Sequence, residues 1–173
     1  MDVWMISRKE LENDLLDIFS TLDGLQYQFD WVVSDHQMWY SSDCPESISS
    51  RWNWNAFLIS GREITEHLQR AYVSFGFGGI LSAVPLGTKP KQIWDYVPSW
   101  EIDYDAPDYQ FQTPLTELEI LCYDGYAWVI ICKPDLSAQI RERLPQAMPP
   151  KEWYPAHTQI RYDEQGNRIS VIQ

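Results

Sequence analysis

The chain has 173 residues, 45% of them hydrophobic and 22% charged, with 25 acidic against 13 basic residues and a formal net charge of −12. That length is enough for one core, since a domain of roughly 150 residues buries about 70% of its unfolded surface, so residues 1–173 are read as a single domain. The acidity argues against direct phosphate or nucleic-acid binding, and three cysteines without CxxC spacing argue against a disulfide framework and a zinc site.

In chain order, the first twenty residues carry Arg8, Lys9, Glu10, Glu12, Asp14 and Asp17 where a signal peptide needs an apolar run. The least polar stretch, Ala71 to Leu86, is broken by glycine and serine and falls short of the ~20 apolar residues that span a bilayer. A cytoplasmic protein without membrane contact is therefore expected. Ser7-Arg8-Lys9-Glu10 has the form of a capping box and is followed by Leu11, Leu15, Leu16, Ile18, Phe19 and Leu22, which predicts an amphipathic helix ended by Asp23-Gly24. Gln26 to Ser34 alternates as a strand with Tyr27, Phe29, Trp31 and Val33 on one face, and His36 to Ser41 suits a partner strand. Ser41 to Ser50 reads as loop.

Ser60-Gly61-Arg62-Glu63 repeats the capping box and predicts a second helix from about Gly61 to Ala71. Tyr72 to Val84 reads as buried strand with a bulge at Gly76, Gly78 and Gly79, and Pro85 to Pro114, with five prolines, reads as a long connection. Glu117 to Lys133 predicts a hairpin on a two-residue Asp124-Gly125 turn, which pairs Cys122 with Ala127 and places Leu118, Ile120, Cys122, Ala127, Val129 and Ile131 on one apolar face. A third helix runs from Pro134 or Asp135 to Leu144, where Pro145, Pro149 and Pro150 stop it, and a hairpin around residues 163–167 ends the chain. Short strands among about three helices predict a single α+β domain with a mainly antiparallel sheet.

The residue types that carry chemistry do not assemble into a known pattern. His36, His67 and His157 lie far apart and form no HxxE, HExxH or HxH spacing, so no metal or other cofactor is expected. Gly76-Phe77-Gly78-Gly79 lacks the GK[ST] ending of a phosphate loop. Asp103, Asp105 and Asp108 beside Trp100 and Tyr109 contain the elements of a glycosidase site, but acidic residues in a proline-flanked loop are ordinarily solvated. Cys122 faces the apolar side of the hairpin, and Cys44 sits among carboxylates that disfavour its thiolate. A non-catalytic protein is the expectation.

Charge and aromatic content point instead to contact. Nine acidic residues and no Lys or Arg fall between Glu10 and Ser50, and eight acidic residues with no base fall between Gln92 and Cys132. Nine tryptophans and ten tyrosines exceed what such a core needs, and many fall in or beside these segments. Trp and Tyr make large interface anchors at little entropic cost, so Asp35, Trp39, Tyr40, Asp43, Trp94, Trp100, Asp103, Asp105 and Asp108 are the candidate partner-binding residues.

Small size, segregated acidity and aromatic anchors without an export signal resemble bacterial immunity proteins that neutralise toxins. The resemblance is one of overall character and assigns no residue a role. It implies occlusion of a basic protein partner, such as a toxin or enzyme, with carboxylates steering association and an aromatic side chain filling its cleft. Two other classes compete: a small-ligand binder or enzyme using the Trp-rich region as a pocket, and a nucleic-acid mimic. The mimic calls for a more uniform line of carboxylates than the basic C-terminal third leaves.

Overall fold

The structure, a computed structural model, describes residues 1–34, 38–53, 56–76, 78–94, 110–162, 165 and 168–172. The elements run β1 (Asp2–Ser7), α1 (Leu15–Thr21), β2 (Phe29–Ser34), β3 (Met38–Tyr40), α2 (Glu46–Trp52), β4 (Ala56–Ser60) and α3 (Gly61–Arg70). They continue with β5 (Val73–Phe75), β6 (Ile80–Pro85), β7 (Leu118–Tyr123), β8 (Ala127–Cys132), α4 (Pro134–Arg143), α5 (Pro150–His157), β9 (Thr158–Tyr162) and β10 (Arg168–Ile172). Six strands form an antiparallel sheet in the order β1-β8-β7-β6-β2-β4, and β3–β5 and β9–β10 form two-stranded ribbons. The α+β class and its mainly antiparallel sheet are as expected.

The helix count differs: five α-helices lie among the described residues where about three were expected. In the serine-rich stretch read as loop, Ile48 and Trp52 stand four residues apart and both are buried, so one face of α2 packs even though its composition is that of a loop. At the other missed helix Pro149 and Pro150 start the element, while α4 ends ahead of Pro145 as expected. Pro150 occupies a first-turn position that lacks an intrahelical donor in any case, and Trp153 buries the helix face.

The N-terminal reading is corrected as well. Ser7 is the last residue of β1 and makes no side-chain cap; Arg8–Glu10 form a single 3-10 turn, and the α-helix occupies only Leu15–Thr21. Asp2 to Ser7 pair with β8 along their whole length, and the Arg8 N–H donates to the Tyr126 carbonyl at 3.0 Å. Leu11 returns to extended backbone and ends the turn. At the second capping box Ser60 is likewise the last residue of its strand, paired with Asp30, yet its hydroxyl accepts from the Glu63 N–H at 3.2 Å as predicted.

The hairpin of β7 and β8 forms, but one residue out of the expected register. Asp124 and Gly125 both adopt positive φ (45° and 71°) and the Tyr126 N–H donates to the Tyr123 carbonyl, as the two-residue turn requires. Tyr126 is nevertheless an extra residue, so Tyr123 pairs with Ala127 and Cys122 with Trp128. Trp128, Ile130 and Cys132 therefore join Leu118, Ile120 and Cys122 on one face, and Ala127, Val129 and Ile131 turn to the other.

Both faces of the sheet are covered, which explains why β7 and β8 read as nearly unbroken apolar runs. Side chains of α1, α2, α3 and α4 pack on the face of Trp31, Val33, Ile120 and Trp128. Trp153 of α5 packs on the face of Met5, Leu121, Val129 and Ile131. No helix among the described residues is long and apolar enough to cross a membrane.

Candidate functional site

The β3–β5 ribbon is held to the sheet by a partly buried charge network. Arg8 leaves the end of β1 and forms a two-pronged ion pair with Asp14, its Nε 3.0 Å from Oδ1 and its Nη2 on Oδ2. Trp128 Nε1 donates to Asp14 Oδ1 at 2.6 Å, and the Ser74 hydroxyl of β5 donates to Oδ2. Arg8 Nη2 also donates to the Ser74 oxygen at 2.8 Å, and Nη1 donates to the Phe75 carbonyl at 2.8 Å. The guanidinium lies over the Trp128 ring, 5.5 Å from its centroid. Burial alone would push the Arg8 pKa down, but the hydrogen bonds and charge of Asp14 overcome it and hold it above the ordinary value.

Ser74 against a carboxylate has the elements of an activated nucleophile, but its environment gives it another role. Ser74 is fully buried, and the Asp14 carboxylate already receives the Arg8, Trp128 and Ser74 donors. The network ties β1, α1, β5 and β8 together and fixes the ribbon.

On that support, Trp39 pairs with Ser74 and Tyr40 with Val73. The Trp39 ring lies directly on Gly76, where a Cβ would come within 3.0 Å of the indole, yet Trp39 remains 52% exposed. Tyr40 is 39% exposed, with its hydroxyl 3.2 Å from Asn53 Oδ1, and Tyr72, just before β5, is 46% exposed. The Ser41 N–H donates to the Tyr72 carbonyl at 3.1 Å and extends the ribbon toward exposed Asp43. The Ser41 hydroxyl donates to the Asp43 carboxylate and holds its pKa below the ordinary value.

Trp39 and Tyr40 thus lie exposed on β3 and Asp43 in the turn after it, with Tyr72, which the sequence reading placed in a buried strand, exposed just before β5. Trp94 is 39% exposed, but it follows Ile93, which packs on Val32 and Val84 on the opposite face of the sheet from Trp31 and Val33. Asp35, Trp100, Asp103, Asp105 and Asp108 lie outside the described residues.

No family model, curated protein or solved structure matches this chain.

Several candidates from the sequence have structural roles. Glu119, from the second acidic block, is fully buried and accepts from the Ser82 hydroxyl at 3.0 Å and the Gln112 N–H at 2.8 Å. Glu117 pairs with Lys133 at 2.8 Å. All three cysteines are free thiols; burial pushes Cys44 and Cys122 up and carries Cys132 to about 12. His157 stacks on Trp153. Among the described residues no group of three His, Cys, Asp or Glu side chains is placed to hold a metal ion.

His67 accepts from the Trp52 indole N–H through Nδ1, 3.0 Å away, so the folded state requires that nitrogen to be unprotonated. Burial holds its pKa below the ordinary value, with Glu63 and Glu66 opposing and Arg70 and Arg51 adding to the depression. The stability this group contributes is present above its unfolded pKa of about 6.5 and is lost as pH falls through the folded pKa. We expect His67 to titrate below 6.5 by NMR, with the Trp52 indole proton shifting in step; titration at or above 6.5 would contradict the assignment.

Proposed function

We propose that the protein is a non-catalytic binding module of the immunity type, occluding a basic toxin or enzyme with the surface centred on Trp39, Tyr40, Tyr72 and Asp43. The observation that carries this reading is the exposure of three large aromatic side chains, Trp39 and Tyr40 on β3 and Tyr72 just before β5, at a ribbon tied to the sheet through Ser74 and Phe75. Aromatic anchors held in place before binding lose little entropy on association, and they dominate interface energetics. Charge supports a basic partner: the chain carries −12, exposed Asp43 lies in the turn just after β3, and α1, with Asp17, packs against β5. The carboxylates would steer encounter and the aromatics would hold the complex. Trp100, Asp103, Asp105 and Asp108 remain in the proposal on the strength of their sequence, as does a cytoplasmic setting.

The test is a paired capture experiment from lysate of the source organism, using wild type and Trp39→Ala/Tyr72→Ala. A stoichiometric basic protein retained at low salt, weakened at moderate salt and lost with the double variant is the expected result. Retention of the same protein by the double variant would remove the ribbon from the interface. Absence of any stoichiometric basic protein would overturn the reading.

A further inference from the structure

A cavity of about 380 Å³ opens beside the ribbon, between α1, the last turn of α3 and the Ser41–Asp43 turn. Sites for small molecules start at about 300 Å³. Leu16, Leu68 and Val73 contribute apolar lining, with Leu68 and Val73 almost entirely buried, and half-exposed Tyr72 adds an aromatic wall.

Two exposed residues of opposite charge line the same cavity. Asp43 comes from the turn after β3 and Arg70 from the last residue of α3. They are too far apart to pair with each other, and among the described residues neither is in any ion pair. The result is a bipolar site with an apolar floor.

From this arrangement we infer that the cavity binds a small zwitterion of the α-amino-acid type, its carboxylate on Arg70, its ammonium on Asp43, and an apolar or aromatic side chain against Leu16, Leu68 and Tyr72. A guanidinium matches a carboxylate with two parallel hydrogen bonds, and a carboxylate accepts readily from an ammonium group. Other small ions fit less well: a polyamine would bring a like charge to Arg70, and a dicarboxylate would bring one to Asp43. Binding is reversible and forms no covalent bond. The inference does not depend on the proposed protein partner, and its failure would leave that proposal standing.

The test is an NMR titration of the full chain, ¹⁵N-labelled, with L-phenylalanine and L-leucine. N-acetyl-phenylalanine and phenylalanine amide serve as probes that each lack one charge. Saturable shifts are expected at the amides of Leu16, Asp43, Arg70 and Tyr72, with each blocked derivative binding about ten-fold more weakly, as the loss of one charge-assisted contact implies. Arg70→Gln should make the free amino acid and its amide bind alike, and Asp43→Asn should do the same for the free and N-acetylated forms. The inference is overturned if neither amino acid gives saturable shifts at these amides, or if the blocked derivatives bind the wild type as tightly as the free ones.

Discussion

Asp14→Ala is expected to destabilise the protein by about 3 kcal/mol, the low end of the cost of breaking a buried ion pair, because Asp14 is buried while the Arg8 guanidinium is only partly so. The substitution removes both ion-pair contacts of Arg8 and the acceptor of Trp128 Nε1, and it deprives the buried Ser74 hydroxyl of its acceptor. Asp14 also holds an unusual backbone conformation, φ 53° and ψ −117°, which a side chain adopts only where its surroundings enforce it. Here those surroundings are the Arg8 fork, the Trp128 indole and the first turn of α1. Urea denaturation of Asp14→Ala, Arg8→Ala and the double variant measures the effect. The double variant should lose far less than the sum of the single losses, because removing both charges leaves neither one buried alone. A single Asp14→Ala loss below about 1 kcal/mol, at the level of ordinary surface changes, would show that the network does not anchor the ribbon.

Gly61→Ala is the second large effect. Gly61 begins α3, and a Cβ there would lie 1.8 Å from the Gln26 carbonyl oxygen and 3.1 Å from Trp31 Nε1. The obstruction is main chain, so no rotamer change relieves it, and that carbonyl already accepts from the Trp31 indole at 3.1 Å. The segment before β2 and the start of α3 would have to separate. Overpacking typically costs 1–3 kcal/mol, and a backbone clash puts this case at about 3 kcal/mol, although alanine is the better helix former by about 1 kcal/mol. The thermal midpoint should fall by several degrees. An unchanged or raised midpoint would mean that Gln26 and α3 are not in contact as described.

Elements whose signals are local were readable in the sequence. Ser60 and Glu63 interact within one turn, so the capped α3 was predicted with its cap intact. Asp124-Gly125 dictates a left-handed turn wherever the flanking strands lie. The failures occur where a distant partner decides. The N-terminal box stops after one 3-10 turn whose Arg8 is tied to Asp14, Phe75 and Tyr126, and the β7–β8 register moved because Tyr126 bulges at the turn and gives its carbonyl to Arg8.

The same contrast runs through the candidate site. Trp39, Tyr40 and Asp43 were singled out by residue type and neighbourhood; Trp39 and Tyr40 lie exposed on β3 and Asp43 in the turn after it. Tyr72 was assigned to the buried strand it precedes; its position after Arg70-Ala71, ahead of the apolar Val73, was the available cue. The Arg8–Asp14 pair left no readable mark. In the sequence Arg8 belongs to a presumed surface cap and Asp14 to a block of carboxylates, and only β5 and β8 bring Ser74 and Trp128 to complete the network. Formal charge therefore overstates the acidic surface, since Asp14 and Glu119 are buried and Glu117 is paired.

The central claim, that the aromatic ribbon is the contact surface for a basic partner, is most directly tested by calorimetric titration of the captured partner with wild type, Trp39→Ala and Tyr72→Ala, after matched melting curves show all three folded. Interface anchors of this kind cost about 2 kcal/mol or more on truncation, so each variant is predicted to bind about 30-fold more weakly or worse, with affinity falling further as salt rises. Affinities unchanged in both variants would contradict the claim and place the contact surface elsewhere on the protein.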